Sequence, residues 1–145
     1  MAVLGSMSFA WTFQGGRLVQ PVTSVTLANN TALVVDKTVP AGKRWILLGA
    51  KMTNPDSVQR NCFMIIYKEA AKTNLLRWLT TATVAATSWM QYPNSNTGTS
   101  YLNHPTLIVL DAGNTITFDW NAGGASAGGV DADGLILEYL EMDVA

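Results

Sequence analysis

Short runs of alternating apolar and polar residues follow one another along the chain, and clusters of Gly, Pro, Asn and Asp separate them. The run VTSVTL, at residues 22–27, shows the alternation most clearly. A period of two residues is that of a β-strand with two different faces. Further runs lie at residues 32–39, 43–54, 62–70, 75–81, 83–92, 106–110, 115–120 and 134–144. We therefore predict an all-β chain of about eight strands, arranged as a two-sheet, jelly-roll-like β-sandwich.

The region from Lys68 to Trp89 is the one segment with a competing helical interpretation. Residues 69–79, EAAKTNLLRWL, consist largely of good helix formers, and propensity alone would allow two or three helical turns. The Thr and aromatic content of LLRWLTT and TVAATSWMQY is typical of strands instead. We favour strands.

Several predicted strands are apolar on both faces. In RWILLGAKM, Trp45 and Leu47 fall on one face, and Ile46, Leu48 and Met52 on the other. In the final strand, Leu135, Leu137 and Tyr139 likewise fall on one face, and Ile136 and Leu140 on the other. A sandwich strand normally has one solvated face. We therefore expect a further layer, contributed by another subunit, and hence a homo-oligomer.

The first sixteen residues carry apolar side chains but show too little alternation for a core strand. Leu4, Phe9, Trp11 and Phe13 precede the pair Gly15–Gly16. We divide the chain into an N-terminal arm, residues 1–16, and a single β-sandwich domain, residues 17–145. An aromatic arm on a glycine hinge is suited to binding a neighbouring subunit, although packing on its own domain is the alternative.

Composition excludes some partners. Charged residues make up 13% of the chain, against ~25% in an ordinary soluble domain. The net charge of −1 gives no electrostatic footprint for nucleic acid or a membrane surface. The nine basic residues all lie between Arg17 and Arg77, where the net charge is +6, and the remainder carries −7. This asymmetry fits either compensation within one subunit or head-to-tail contacts between subunits.

No catalytic constellation stands out, and we predict that the protein is not an enzyme and uses no cofactor. Cys62 lies in the apolar run NCFMIIY, which indicates an inert buried thiol. His104 is the only histidine, so a zinc site or a nucleophile–base pair with Cys62 is unsupported. Two carboxylate pairs could be considered for catalysis, Asp111–Asp119 and Glu138–Glu141. We interpret Asp111 as a turn residue and the other three as solvated residues of strands.

A glycine-rich stretch, NAGGASAGGVDADG, occupies residues 121–134. It lacks the lysine of a phosphate loop and the glycine spacing of a dinucleotide loop. Asp131, Asp133 and Gly134 match part of a calcium loop, but too few oxygen ligands follow. We interpret the stretch as a β–β connection and predict no metal site.

Trp89, Tyr92 and Tyr101 flank a polar stretch at residues 93–100. Such aromatic residues could form a surface patch that stacks on sugars, which is the basis of an alternative function as a carbohydrate-binding module of a phage tail or fibre. They also fit an apolar contact between subunits, which we favour.

Three stretches carry a family resemblance. VPAGKRWILLGAKMTN, LIVLDAGNTITFDWNAGG and DGLILEYLEMDV resemble the small β-sandwich or jelly-roll virion proteins of tailed bacteriophages, and among these the capsid decoration, or cement, proteins. The resemblance covers roughly residues 20–145. It implies a non-enzymatic protein, made in the host cytoplasm, that forms trimers and binds the major capsid protein on the outside of the virion, thereby stabilising the shell.

Overall fold

The computed structural model describes residues 16–93, 99–100, 107–121 and 128–145. These residues form eleven β-strands and no helix. The strands are β1 Gly16–Val19, β2 Val22–Leu27, β3 Leu33–Thr38, β4 Lys43–Thr53, β5 Arg60–Tyr67, β6 Leu75–Val84, β7 Trp89–Tyr92, β8 Thr99–Ser100, β9 Ile108–Asp111, β10 Thr115–Asn121 and β11 Gly129–Asp143. The all-β prediction is confirmed, and so is the preference for strands over a helix within residues 68–89.

The strands form two antiparallel sheets with a jelly-roll-like order. In sheet A, β11 lies between β4 and the edge formed by β1 and β2, and β4 is flanked on its other side by β7 and β9. Sheet B has the order β3, β10, β5, β6 and β8. The chain changes sheet at nearly every connection. The jelly-roll-like order is formed by eight strands, with β2, β11, β4 and β7 in sheet A and β3, β10, β5 and β6 in sheet B. The short strands β1, β8 and β9 are added to these two sheets.

The core fills the space between the inner faces of the two sheets. Trp120 and Phe118 of β10 are fully buried in one apolar cluster that also contains residues of β4 and β11. The indole nitrogen of Trp120 donates a hydrogen bond to the carbonyl oxygen of Thr53 at 2.8 Å, so the largest core side chain buries no unpaired polar atom. The period-two pattern therefore identifies the inner faces because the alternate residues of each strand enter this one core.

A β-bulge in β4 corrects one of the predicted faces. Tyr139 pairs with Leu47 and Glu138 pairs with Gly49, so that Leu48 is the extra residue. The bulge shifts the alternation by one residue, and Met52 lies in the core with no exposed surface. The prediction that Met52 shares a face with Ile46 and Leu48 was wrong, because one inserted residue exchanges the two faces of the residues that follow it.

The start of β11 corrects the extent of the glycine-rich connection. β11 begins at Gly129, so residues 129–134 belong to a strand that pairs with β2, with an irregularity between Asp131 and Leu135. Gly134 lies directly beneath Val25, whose Cβ atom would stand 2.6 Å from an added Cβ. Close approach of two strands requires the glycine there. The predicted β–β connection is thus shorter than residues 121–134.

A buried polar cluster joins the loops at one end of the sandwich. Asp56 and Arg60 form an ion pair at 2.8 Å, and both side chains are fully buried. The Arg60 guanidinium also donates to the carbonyl oxygens of Thr31, at 2.7 Å, and Ala28, at 3.1 Å. The amide nitrogen of Asn54 donates to the carbonyl of Val84. The β2–β3, β4–β5 and β6–β7 connections are therefore fastened to one another.

Candidate interaction surfaces

The outer face of sheet A carries an apolar row that crosses four strands. The pairing places Leu18 of β1 beside Leu140 of β11, Leu140 beside Ile46 of β4, and Ile46 beside Val109 of β9. Leu140 is 2% exposed although it does not belong to the core between the sheets, whereas Leu18 is 51% exposed. The second apolar face predicted for β4 and β11 lies on this outer side of sheet A, at Ile46, Leu48, Ile136 and Leu140.

Apolar groups also lie at the two opposite edges of the sandwich. Between β6 and β9, a groove of about 210 Å³ is lined by Ile66, Leu76, Arg77, Leu107, Ile108 and Val109. At the other edge, Val19, Leu33 and Val35 contact the core but are only partly buried. Both edges therefore expose apolar surface in the part of the chain that the structure describes.

The outer face of sheet B combines aromatic and polar side chains. The rings of Phe63 and Trp78 meet edge to face, with centroids 6.1 Å apart. Asp36 accepts hydrogen bonds from the Thr117 hydroxyl, at 2.7 Å, and from Lys72, at 2.9 Å. Asp119 lies between Val34 and Phe63 on the neighbouring strands, and burial raises the pKa of its carboxyl group, with Lys72 opposing the rise.

Of the predicted aromatic patch, the structure describes Trp89 and Tyr92, and these two do not share an exposed surface. Tyr92 is 5% exposed and belongs to the core, and burial raises the pKa of its hydroxyl, with Arg77 opposing the rise. Its assignment to a surface patch was wrong, because β7 turns Tyr92 inward. Trp89 is half-buried, with the Lys51 ammonium 5.4 Å from its ring centre. Tyr101 lies outside the described residues.

The four arm residues Leu4, Phe9, Trp11 and Phe13 also lie outside the described residues, but the point where the arm joins the domain is described. β1 begins at Gly16, one residue before the predicted boundary, opposite Met142 of β11. Glu141 accepts hydrogen bonds from Arg17, at 2.9 Å, and from the Trp45 indole, at 3.0 Å. β1 is therefore held to the domain immediately after the arm.

The residues considered for catalysis are dispersed. Burial raises the pKa of the Cys62 thiol to about 12, with Arg60 opposing the rise, so the thiol does not ionise near neutral pH. Asp111 lies in sheet A, where it pairs with Arg44 at 2.7 Å, and Asp119 lies in sheet B. Glu138 and Glu141 are three residues apart on one strand and fall on opposite faces. His104 lies outside the described residues.

The described residues show neither a cluster of metal-binding side chains nor a membrane-spanning helix. Within the described residues, no three His, Cys, Asp or Glu side chains form a group that could hold a metal ion. At the partial calcium motif, the Asp131 carboxylate accepts a hydrogen bond from the backbone N–H of Asp133 at 2.9 Å. No helix of the described residues is long and apolar enough to cross a membrane.

Comparison of the chain with protein-family models, curated proteins and solved structures yields no match. The function therefore has to be inferred from the surfaces described above. The sequence did not reveal where the apolar surfaces lie, which is at two opposite edges of the sandwich and on the outer face of sheet A. Strand pairing determines that placement, and pairing is not encoded locally.

Proposed function

We propose that the protein is a structural virion protein, a phage capsid decoration or cement protein that self-associates and binds capsid subunits. The observation that carries the proposal is the apolar row Leu18–Leu140–Ile46–Val109 across the outer face of sheet A, of which the end residues Leu18 and Val109 are 51% and 41% exposed. A sheet face that carries no function is normally polar where it meets water. An apolar outer face is typical of a surface that another protein covers.

Other properties support binding rather than catalysis. Exposed large apolar side chains are spread over both sheets, including Leu18, Val22, Val34, Leu75 and Leu107, while charged residues are scarce. Burial of such a surface stabilises a complex by ~25 cal/mol per Å² of apolar area removed from water. Decoration proteins stabilise a shell by burying surface between subunits, and this chain offers apolar surface for that purpose.

The arm extends the proposed contact to a neighbouring subunit. Burying an aromatic or leucine side chain contributes ~1.5–3 kcal/mol, whereas ordering a flexible chain costs ~1–2 kcal/mol per residue. Leu4, Phe9, Trp11 and Phe13 alone would not offset the ordering of sixteen residues. The arm therefore also needs backbone hydrogen bonds, which pairing with a sheet edge of a neighbour would supply.

The test is co-sedimentation with empty, undecorated shells of the phage whose genome encodes the chain. We expect saturable binding at a fixed ratio to the capsid subunit. Substituting Asp for Ile46 at the centre of the row should abolish it, and Gln59→Asp, which adds the same charge on the exposed β4–β5 loop, should not. Deletion of residues 1–15 should weaken binding while the domain stays folded. No sedimentation of the wild-type protein would refute the proposal.

A carbohydrate-binding module remains the second candidate, favoured by one observation on sheet B. Trp78 is 37% exposed on the outer face, and its cross-strand neighbour Ile65 pairs in turn with Thr117, which is hydrogen-bonded to Asp36. An aromatic face beside carboxylate and hydroxyl groups can bind sugar rings. The test is a glycan array. Reproducible sugar binding by the wild-type protein that is lost in Trp78→Ala and kept in Trp89→Ala would support this function over the first.

A further inference from the structure

β1 and β2 together form one edge strand of sheet A. β1 ends with Val19 opposite Tyr139 of β11, and β2 begins with Val22 opposite Ile136. The two strands advance by the same number of residues between these pairs, so the register with β11 continues without a shift. Within the described residues, no strand pairs with β1 or β2 on the side away from β11. Residues 16–23 therefore form one edge with an open side.

The open side of this edge presents an uninterrupted row of backbone groups. The carbonyl oxygen of Pro21 accepts a hydrogen bond from the backbone N–H of Leu137 in β11 at 3.2 Å. Because the backbone groups of successive residues in a strand point to alternate sides, those of Leu18, Gln20 and Val22 point to the open side. The nitrogen of Pro21, which carries no hydrogen, faces β11. The proline therefore does not block the open side, which can accept a further strand.

Two half-exposed apolar side chains lie along this open side. Leu18 and Val22 are 51% and 52% exposed. Both belong to the outer face of sheet A, because Leu18 pairs with Leu140 and Val22 pairs with Ile136. A strand beside this edge would place its own side chains next to these two, since directly opposite residues of antiparallel strands share a face. The edge thus fits an amphipathic strand whose apolar side chains join the outer face of sheet A.

The chain supplies such a segment directly before β1. Alternation within the arm is confined to its second half, where four apolar residues alternate with small or polar ones, namely Met7, Phe9, Trp11 and Phe13 with Ser8, Ala10, Thr12 and Gln14. A period of two residues is that of a strand with one apolar face. The alternation stops at Gly15, and the open edge begins at Gly16. The edge of the same subunit is therefore available to the arm at a far higher effective concentration than the edge of a neighbour.

We propose that residues 7–13 of the arm pair antiparallel with residues 16–22 of the same subunit, through a two-residue hairpin loop at Gln14 and Gly15. Two-residue loops are the commonest hairpin connections, and their turns need the positive φ that glycine provides. The two residues that close such a loop are hydrogen-bonded to each other. Gly16 can close it, because its backbone groups, like those of Leu18, point to the open side.

This register places the apolar residues of the arm on the outer face of sheet A. Trp11 lies opposite Leu18, and Met7 lies opposite Val22. The apolar row that begins at Leu18 becomes one strand longer, with Trp11 at its new end. The inference rests on the proposed function only for the partner that covers this longer row. The backbone hydrogen bonds that the arm requires come from its own subunit in place of a neighbour's edge.

An engineered disulfide tests both the register and the subunit to which the arm binds. In Met7→Cys/Val22→Cys the two Cα atoms would lie ~5.5 Å apart, within the ~4.4–6.8 Å range of disulfides. The native Cys62 is buried and does not compete. We expect oxidation to give a disulfide within one chain, detected by mass spectrometry and as a single-chain band on a non-reducing gel. The control Ser8→Cys/Val22→Cys, in which position 8 belongs to the opposite face, should form its disulfide much more slowly.

Amide hydrogen exchange gives a second measurement. Deleting residues 1–15 should accelerate exchange at the amides of Leu18, Gln20 and Val22 by about tenfold, the change that corresponds to the net contribution of one hydrogen bond. The amide of Val19, which points to β11, should change less.

Two results would overturn the hairpin. One is oxidation of the two cysteine pairs at equal rates or into disulfide-linked dimers, and the other is unchanged exchange at the three amides. If the truncated chain unfolds, the full-length cysteine variants decide. Shell binding by the wild-type protein is measured separately: its absence rejects the decoration function but leaves the hairpin standing.

Discussion

Replacing Arg60 by Met should destabilise the domain more than the loss of any exposed ion pair. Arg60 is fully buried, and its guanidinium donates to Asp56 and to the carbonyl oxygens of Ala28 and Thr31. Methionine fills similar space but donates no hydrogen bond. The variant therefore leaves a buried carboxylate without its counter-charge and removes the guanidinium donor from two carbonyl groups.

The expected loss of stability follows from the burial of the Asp56–Arg60 ion pair. Removing one partner of a buried ion pair costs ~3–5 kcal/mol, which is a large fraction of the ~5–15 kcal/mol by which domains are stable. The matched control is Arg44→Met, since Arg44 and Asp111 form an exposed pair, with side chains 44% and 64% exposed. Exposed pairs contribute ~0–1 kcal/mol.

Urea unfolding followed by tryptophan fluorescence measures both variants at one fixed protein concentration, because association shifts the apparent stability. With a slope of ~2 kcal/mol per M, Arg60→Met should lower the midpoint by ~1.5–2.5 M, and Arg44→Met by less than ~0.5 M. Equal midpoints for the two variants would refute the reasoning. The double variant Asp56→Leu/Arg60→Met should recover only part of the loss, since Ala28 and Thr31 still lack the donor.

The pH dependence gives an independent check of the same cluster. Burial opposes ionisation of Asp56, but hydrogen bonds from Arg60 and from the Val58 backbone outweigh it, so the pKa of the carboxyl lies below its ordinary value. A depressed folded-state pKa stabilises the fold above the unfolded-state pKa of ~3.9, and the contribution is lost as the pH falls through the folded-state value. The difference between wild type and Arg60→Met should therefore narrow below about pH 4.

Three further predictions concern other parts of the domain. Asp119→Asn should raise the melting temperature at pH 7, and the gain should disappear in acid, because burial raises the pKa of this carboxyl and a raised pKa makes the ionised form destabilising. Gly129→Ala should lower the free energy of unfolding by ~1–3 kcal/mol or more, because the added Cβ would overlap the Pro55 carbonyl group. The control Gly16→Ala, whose added Cβ would have its nearest atom 3.5 Å away, should leave the urea midpoint nearly unchanged. Thermal melts with calcium and with a chelator should coincide; a chelator-induced loss of many degrees would reveal a bound ion.

Most strands of this fold could be predicted from the sequence, whereas the pairing of the strands could be predicted only in outline. The alternation in VTSVTL has a local cause, because successive side chains of a strand point to opposite faces. The bulge at Leu48 is not visible in that alternation, and it places Met52 in the core and not on the face that carries Ile46. Likewise β11 starts within the glycine-rich stretch because β2 pairs with it there.

The buried Asp56–Arg60 pair shows why part of the site was missed. The stretch NPDSVQRN reads as a polar loop, and its composition suggests exposure. One signal was present: Arg60 directly precedes the apolar run of β5 and follows Asp56 by four residues. Its burial depends on carbonyl groups of the β2–β3 loop, which are distant in sequence. Tyr92 was misassigned for the same reason, since its inward orientation is set by pairing with β4.

The molar mass of the wild-type protein in solution, measured by light scattering at micromolar concentration, tests the central claim most directly. The account predicts an associated species, a trimer of three 15.6 kDa subunits, because the apolar outer face and edges require partners. A stable species of 15.6 kDa would contradict it, since the exposed leucines and valines of the two edges would then remain in water.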